Sequence, residues 1–391
     1  MERAEIAMDD VAVVGVGQTA FTRACGVSIK ELCFEAFKEA VEDAGNLQPH
    51  DIDGSIICSA PEYDKQRSPA GAIAEYLGLN PKPTFYVESV CASSTTGMRA
   101  AYGLIKSGLN DVVAVVGFQK MSELSSAEVQ ERMGRGADIM WESPFGLSMP
   151  AGYALFARSR MQKYGMTAEQ MAKVKVKSSK YSVLNPKAIF QREVSLEECL
   201  SARAIAAPLK FYDCCSNADG ASCIILANEE KAKKMTDTPV KIIGLGAASD
   251  SLSLANKVAL TGLNCAVEAG KQAFKMAGVQ PKDVDVAEVH DCFTVAEIMA
   301  YENLGFCKLG EGGKLVEQAQ TYIDGDIPVN IDGGLLGKGH PIGATGGSQV
   351  RTIVMELRGD AGKLQVKGAE IGLVHNIGGV GLYGNVIIFS R

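Results

Sequence analysis

One pattern occurs twice along this chain, and the repeat restricts its fold more than any other feature. Residues 10–15 form a short apolar run ending at Gly15. Residues 28–44 carry apolar side chains at helical spacing (Leu32, Phe34, Ala36, Phe37, Ala40, Val41) and stop at Gly45, a residue suited to closing a helix. Asp51-Ile52-Asp53 then leads into a second apolar run at 55–58. Far downstream the order returns: a run at 240–246, a helical stretch at 264–277 closed by Gly278, Asp283-Val284-Asp285, and a run at 286–289. Each half adds further strands (85–87 and 111–117; near 371–374 and 383–389) and one helix rich in small residues (91–106 and 343–357). Strands alternating with helices predict an α/β fold with a buried, largely parallel sheet. The repeat predicts a duplication with its joint near residues 230–240, giving halves of 1–235 and 236–391.

Between about residues 121 and 207 the strand pattern stops. This segment is read as an excursion from the first half, a lid or oligomerisation loop. Within it, Lys173-Val174-Lys175-Val176-Lys177 is basic and could meet a phosphate; a solvated helix face is the preferred reading. The net charge of -7 argues against nucleic acid as the main partner. No apolar run reaches the roughly 18–20 residues of a membrane span. The first residues, Met1-Glu2-Arg3-Ala4-Glu5, lack the basic and apolar regions of a signal peptide. Phe389-Ser390-Arg391 is not a peroxisomal tag. Eleven cysteines without a C-x-x-C pair read mostly as small buried hydrophobes in a reducing cytosol, so a cytoplasmic location is expected.

One cysteine stands apart. Cys91 follows the run at 85–87 and opens the small-residue helix, where unpaired N–H groups would stabilise a thiolate and lower its pKa. An inert buried thiol is the plain alternative. Three of the four histidines occupy comparable corners: His290 after the run at 286–289, His340 in Gly339-His340-Pro341-Ile342-Gly343, and His375 before Asn376-Ile377-Gly378-Gly379. A lone histidine is more often structural. Three at strand ends and glycine turns, with one reactive cysteine, predict a shared site. None has metal-ligand spacing within a helix, so acid/base roles are preferred to a metal.

These segments carry a resemblance. Val90-Cys91-Ala92-Ser93, His290-Asp291-Cys292-Phe293, Gly339-His340-Pro341-Ile342-Gly343-Ala344-Thr345-Gly346, His375-Asn376-Ile377-Gly378-Gly379 and Asp213-Cys214-Cys215 with Asp219-Gly220-Ala221 resemble the thiolase superfamily along the whole chain. They are most similar to the sterol-carrier-protein-type thiolases and their archaeal and bacterial relatives. The resemblance implies a five-layer αβαβα fold of two duplicated halves with an inserted loop domain. It also implies a role for each residue. Cys91 would carry the acyl group as a thioester, and His340 would take its proton. His290, standing where biosynthetic thiolases have an asparagine, would hydrogen-bond an enolate oxygen together with His340.

Other thiolases have a second cysteine in a Cys-x-Gly turn, and His375 is read as standing in its place. Cys292 is the preferred substitute as second acid/base, with His375 the alternative. Backbone N–H groups of Cys91 and of Ile377 or Gly378 would form the second oxyanion hole, and Phe293 would line the acyl pocket. The implied reaction is coenzyme A-dependent cleavage or formation of a 3-oxoacyl-CoA, with CoA as co-substrate and no bound cofactor. Relatives extend to branched and aromatic substrates such as benzoylsuccinyl-CoA. Expected partners are a second copy, in a homodimer, and a small zinc-ribbon/OB-fold subunit. Two rivals stand beside this reading: another carbon–carbon enzyme on the same fold (a condensing synthase or thiolase-like aldolase), and a non-catalytic acyl-binding subunit.

Overall fold

The computed structural model describes residues 10–63 and 65–391. The first five residues, on which the signal-peptide expectation rests, lie outside the described residues. The first half runs β1 (Val11–Gln18), α1 (Ile29–Asp43), β2 (Gly54–Cys58), α2 (Pro69–Tyr76), β3 (Thr84–Val87), α3 (Ser93–Lys106) and β4 (Val112–Gln119). Helices α4 (Ser126–Gly134), α5 (Met149–Tyr164), α6 (Ala168–Ser182) and α7 (Leu196–Ser201) follow, with a ribbon of β5 (Ala204–Ala206) and β6 (Leu209–Lys210). Strand β7 (Gly220–Asn228) and α8 (Glu229–Met235) come next. The second half runs β8 (Val240–Ser249), α9 (Asn264–Ala277), β9 (Val286–Val289), α10 (Thr294–Asn303), α11 (Gly312–Glu317), α12 (Gly334–Lys338), α13 (Thr345–Arg358), β10 (Ile371–Gly378) and β11 (Tyr383–Ser390).

Local chemistry sets these elements. Ser28 caps α1 through a capping box: its hydroxyl accepts from Glu31 N, and the Glu31 carboxylate accepts from Ser28 N at 2.8 Å. Gly278, in the left-handed region at φ 69°, closes α9. Strand β1 is buried along its length, as its run of valines favours.

The nine long strands join in the order β3-β2-β4-β7-β1-β8-β11-β10-β9, so the two halves mirror each other about the β1–β8 contact. Side chains alternate between the faces. Ala12 and Val14 of β1 pack under α1 with Leu32, Phe37 and Ala40. Val11, Val13 and Val16 point the other way, onto a core built from α3 (Met98, Ala101) and α13 (Val350, Ile353, Val354). Strands of the second half close that same core with Val374 and Ile387, while Leu373 and Ile388 face α9 and α10. Helix, sheet, paired central helices, sheet and helix make the five layers.

The expectation of a largely parallel sheet is corrected. Only β2–β3, β2–β4 and β9–β10 run parallel; β1–β7, β4–β7, β1–β8, β8–β11 and β10–β11 are antiparallel. The physical reason is connection length. Only residues 379–382 separate β10 from β11, too few for a crossover, so the pair must form a hairpin.

The excursion is bolted to α10 by ion pairs. Lys177 reaches Glu297 at 2.6 Å with both side chains fully buried, and Arg160 pairs with Glu302. This overturns the solvated-face reading of the lysine run: Lys173 meets solvent, but Lys175 and Lys177 are buried. Among the described residues no helix is long and apolar enough to cross a membrane.

Candidate active site

Cys91 is positioned by a strained corner. After β3, Val90 takes φ +52°, a conformation costly for a β-branched residue. Neighbouring hydrogen bonds hold it there: Val90 N donates to Glu88 Oε1 at 2.6 Å, Ser89 N to Ser93 Oγ at 2.9 Å, and Ser93 Oγ to Val90 O at 2.7 Å. Cys91 therefore sits in a 3-10 turn, Val90–Ala92, ahead of α3 rather than in its first turn. Its thiol pKa is not lowered as the sequence reading expected. Burial pushes it up to about 12, and the carboxylates of Glu62 and Glu88 push the same way.

His340 arrives from the other half. Gly339, at φ 103°, turns the chain out of α12, and His340 N donates to Ser216 O at 2.9 Å. Gly343 lets the following turn approach β4 and β2: a Cβ there would lie 2.3 Å from Phe118 O and 2.6 Å from Ser59 Cα. The ring bridges two groups, with Nε2 3.2 Å from Cys91 Sγ and Nδ1 2.7 Å from Thr345 Oγ1. Thr345 spends its own hydrogen on Pro341 O at 3.0 Å, so it accepts from His340 Nδ1–H. That leaves the Nε2 lone pair aimed at the thiol. Burial lowers His340 to about 4, so the resting pair is a neutral thiol beside a neutral base.

His290 has the opposite tautomer. Its Nδ1 receives the Asn376 side-chain N–H₂ at 3.1 Å, while Asn376 Oδ1 accepts from Thr95 Oγ1 at 2.9 Å. Nε2 therefore carries the proton, as a donor at the site. Burial first, then the charges of His340 and His375, hold His290 well below the usual imidazole range. The two rings stand 5.2 Å apart, nearly perpendicular. Cys91, His290 and His340 offer atoms within 4.8 Å of one another, a spacing that a metal ion could bridge. The Asn376 bond argues for acid/base chemistry instead, because it leaves His290 Nε2 protonated and without a free lone pair.

These groups sit at a cavity of about 730 Å³ lined also by Cys292, Phe293, Tyr153 and Gly379. Burial drives the Cys292 thiol far up and neighbouring Cys91 adds to this, while the nearby Tyr153 hydroxyl opposes it. Tyr153 stacks on Phe293 with ring centres 4.6 Å apart. His375 and Ile377 are not in the lining. His375 Nδ1 instead accepts from the His290 backbone at 3.4 Å, and its Nε2 is buried without a hydrogen-bond partner among the described residues. Alternation along β10 turns Asn376 to the site and His375 away. The backbone N–H groups of Gly379 and of Cys91 itself act on the Cys91 thiol in the opposite sense to burial, favouring its thiolate.

Sequence reasoning missed Tyr153, Thr345, Asn376 and Gly379. Thr345 stands in the quoted Gly339–Gly346 motif and Asn376 beside His375, so both were within reach. Tyr153 lies in the excursion and carries no local signal.

The family model "Thiolase, N-terminal domain" matches residues 11–230, and "Thiolase C-terminal domain-like" matches residues 246–391. The chain belongs to the thiolase family. Along nearly its whole length it is similar to an acetyl-CoA acetyltransferase of Methanothermobacter thermautotrophicus, at 42% identity over 98% of this chain and 100% of the relative. It is also 37% identical to sterol carrier protein 2 of Bos taurus, over 94% of this chain and 70% of that protein. On this footing it is an acyltransferase. Among solved structures, the Ltp2-ChsH2(DUF35) aldolase superposes with a TM-score of 0.86 at 27% identity, covering 98% of each chain. Human mitochondrial 3-ketoacyl-CoA thiolase in complex with CoA shares the fold, with a TM-score of 0.76 at 18% identity over 98% of each chain.

Proposed function

We propose that this chain is a coenzyme A-dependent thiolase that cleaves or forms 3-oxoacyl-CoA through an acyl-Cys91 thioester. The observation that carries this reading is the 3.2 Å contact between Cys91 Sγ and the unprotonated Nε2 of His340, at the foot of a cavity large enough for an acyl thioester. In thiolysis Cys91 Sγ bonds the keto carbon while its proton passes to His340. The N–H groups of Cys91 and Gly379 hold the tetrahedral alkoxide. The Cα–Cβ bond then breaks, and the electron pair leaves as an enolate whose oxygen takes hydrogen bonds from His290 Nε2–H and protonated His340. Cys292 gives its proton to Cα. It recovers one from the thiol of incoming CoA, which attacks the thioester, and His340 returns its proton to Cys91.

Branched or aromatic substrates such as benzoylsuccinyl-CoA fall within this reading, with Phe293 in the pocket wall. We take residues 1–235 and 236–391 as its two halves, a homodimer as its core and the cytoplasm as its location. A small zinc-ribbon/OB-fold subunit is the further partner proposed, supported by the two-component name of the Ltp2-ChsH2(DUF35) aldolase. That same neighbour favours the second reading, an aldolase on this fold, which needs no acyl-enzyme.

The assignment of Cys292 is tested by exchange of the acetyl-CoA α-protons in heavy water. Cys292→Ser abolishes exchange while Cys91 still takes an acyl group at near wild-type rate. Exchange that survives in Cys292→Ser contradicts the assignment.

A further inference from the structure

Two buried lysines on α6, two positions apart, have very different surroundings. Lys177 is saturated: its ammonium donates to Glu297 Oε1 at 2.6 Å, Val329 O at 2.8 Å and the Tyr301 hydroxyl at 3.2 Å. That is how a structural buried lysine is satisfied, with three donors and three acceptors including a carboxylate. Lys175 is 3% exposed, yet among the described residues its ammonium has a single acceptor, Leu336 O at 2.7 Å. It rests on the face of Phe190 at 3.8 Å and meets no carboxylate within ion-pair distance among the described residues. Asp291, which its charge senses, spends its oxygens on Leu335 N and Leu336 N. Lys177 does not line the main cavity; Lys175 does, on the wall that also carries Phe190 and Cys215. Cys215 in turn lies within electrostatic reach of Cys292 and Cys91.

We propose that Lys175 is the recognition group for a carboxylate on the substrate, so that the enzyme acts on 3-oxoacyl-CoA thioesters whose acyl chain or α-branch bears a carboxylate. The inference rests on the thiolase reading and adds the substrate class. A buried ammonium with one hydrogen-bond acceptor among the described residues, on a side chain that lines the cavity, is incompletely compensated for its desolvation, and an incoming carboxylate supplies both acceptors and charge. Burial lowers Lys175 only to about 8, so it still carries its charge at neutral pH. Phe190 beneath it supports the cation without competing for its donors.

The test compares kcat/KM in matched pairs: 3-oxoadipyl-CoA against 3-oxohexanoyl-CoA, and 2-carboxymethyl-acetoacetyl-CoA against 2-ethyl-acetoacetyl-CoA. A charge-assisted contact predicts a preference of about 10- to 100-fold for the carboxylate in at least one pair of the wild-type enzyme. Lys175→Met removes that preference while changing the neutral partner less than about threefold, and Lys175→Arg keeps part of it. The wild-type comparison stands even if a variant fails to fold. Absence of preference in both pairs overturns the inference. So does a Lys175→Met variant that loses neutral and charged substrates alike or raises the KM for CoA with both, because the lysine then serves structure or the phosphates of CoA. If the wild type cleaves none of the four, the thiolase reading fails; if it cleaves the neutral ones without preference, only the inference on Lys175 does.

Discussion

Each of the two imidazoles at the site has a single proton arrangement, because the partners outside the ring set the tautomer. Thr345 fixes His340 as a base toward Cys91, and Asn376 fixes His290 as a donor. What the proposed reaction still needs is a means to hold charge on Cys292, which is buried with no cation beside it among the described residues. Tyr153 offers a hydroxyl beside it. It donates to Gly379 O at 3.3 Å in the resting geometry and also lies within hydrogen-bonding reach of Cys292. Tyr153→Phe should slow α-proton exchange of acetyl-CoA by about tenfold, the worth of one hydrogen bond to a charged group, with Cys91 acylation within threefold. Equal losses in both steps would show that Tyr153 only props the Gly379 turn. His375 makes the opposite prediction. Burial holds it down to about 3, so it contributes stability that is full above about pH 6.5 and is lost as pH falls toward 3. His375→Asn keeps an acceptor for His290 N and removes the titrating ring. Exchange should persist, and the stability of wild type relative to the variant should fall by about 1.4 kcal/mol per pH unit below 6.5 in denaturant titrations. A constant difference across that range would contradict the assignment.

At the scale of elements, the buried pair Lys177–Glu297 ties α6 of the excursion to α10, which follows directly from His290-Asp291-Cys292-Phe293. Lys177→Met strands a buried carboxylate and should cost about 3–5 kcal/mol in chemical denaturation, with Lys177→Met/Glu297→Leu recovering most of it. No recovery in the double variant would mean that the lysine is held for its other acceptors. The same elements show what was legible beforehand. Strands 55–58 and 286–289 and helix 264–277 were readable because apolar period and glycine stops agree there. Sheet direction was misjudged because strand–helix alternation says nothing about β7, which enters antiparallel between β4 and β1, and because the four-residue link before β11 went unweighed. His375 was expected at the site and its neighbour Asn376 is there instead, because one position in a strand is the difference between one face and the other. The lysine run was legible as basic, but its burial at Lys175, like the place of Tyr153, was beyond reach: each is brought to the cavity by packing of the excursion, which no local spacing encodes.

Across the whole molecule the duplication places the chemistry. Each half feeds its central helix through a 3-10 turn, Val90–Ala92 before α3 and Ile342–Ala344 before α13. The two helices pack against each other in the middle layer, so the first half delivers Cys91 and the second His290, His340 and Cys292 to one point. A site split across two halves in this way exists only in the assembled fold, and the reaction proposed for it passes through a covalent intermediate on Cys91. The most direct measurement is intact and peptide mass spectrometry of the wild-type chain, quenched in acid after incubation with acetoacetyl-CoA or the carboxylated substrates above. The account predicts an acyl adduct on the peptide containing Cys91, absent in Cys91→Ala and discharged by added CoA. Turnover of substrate with no adduct at Cys91, or an adduct that CoA cannot remove, would contradict it.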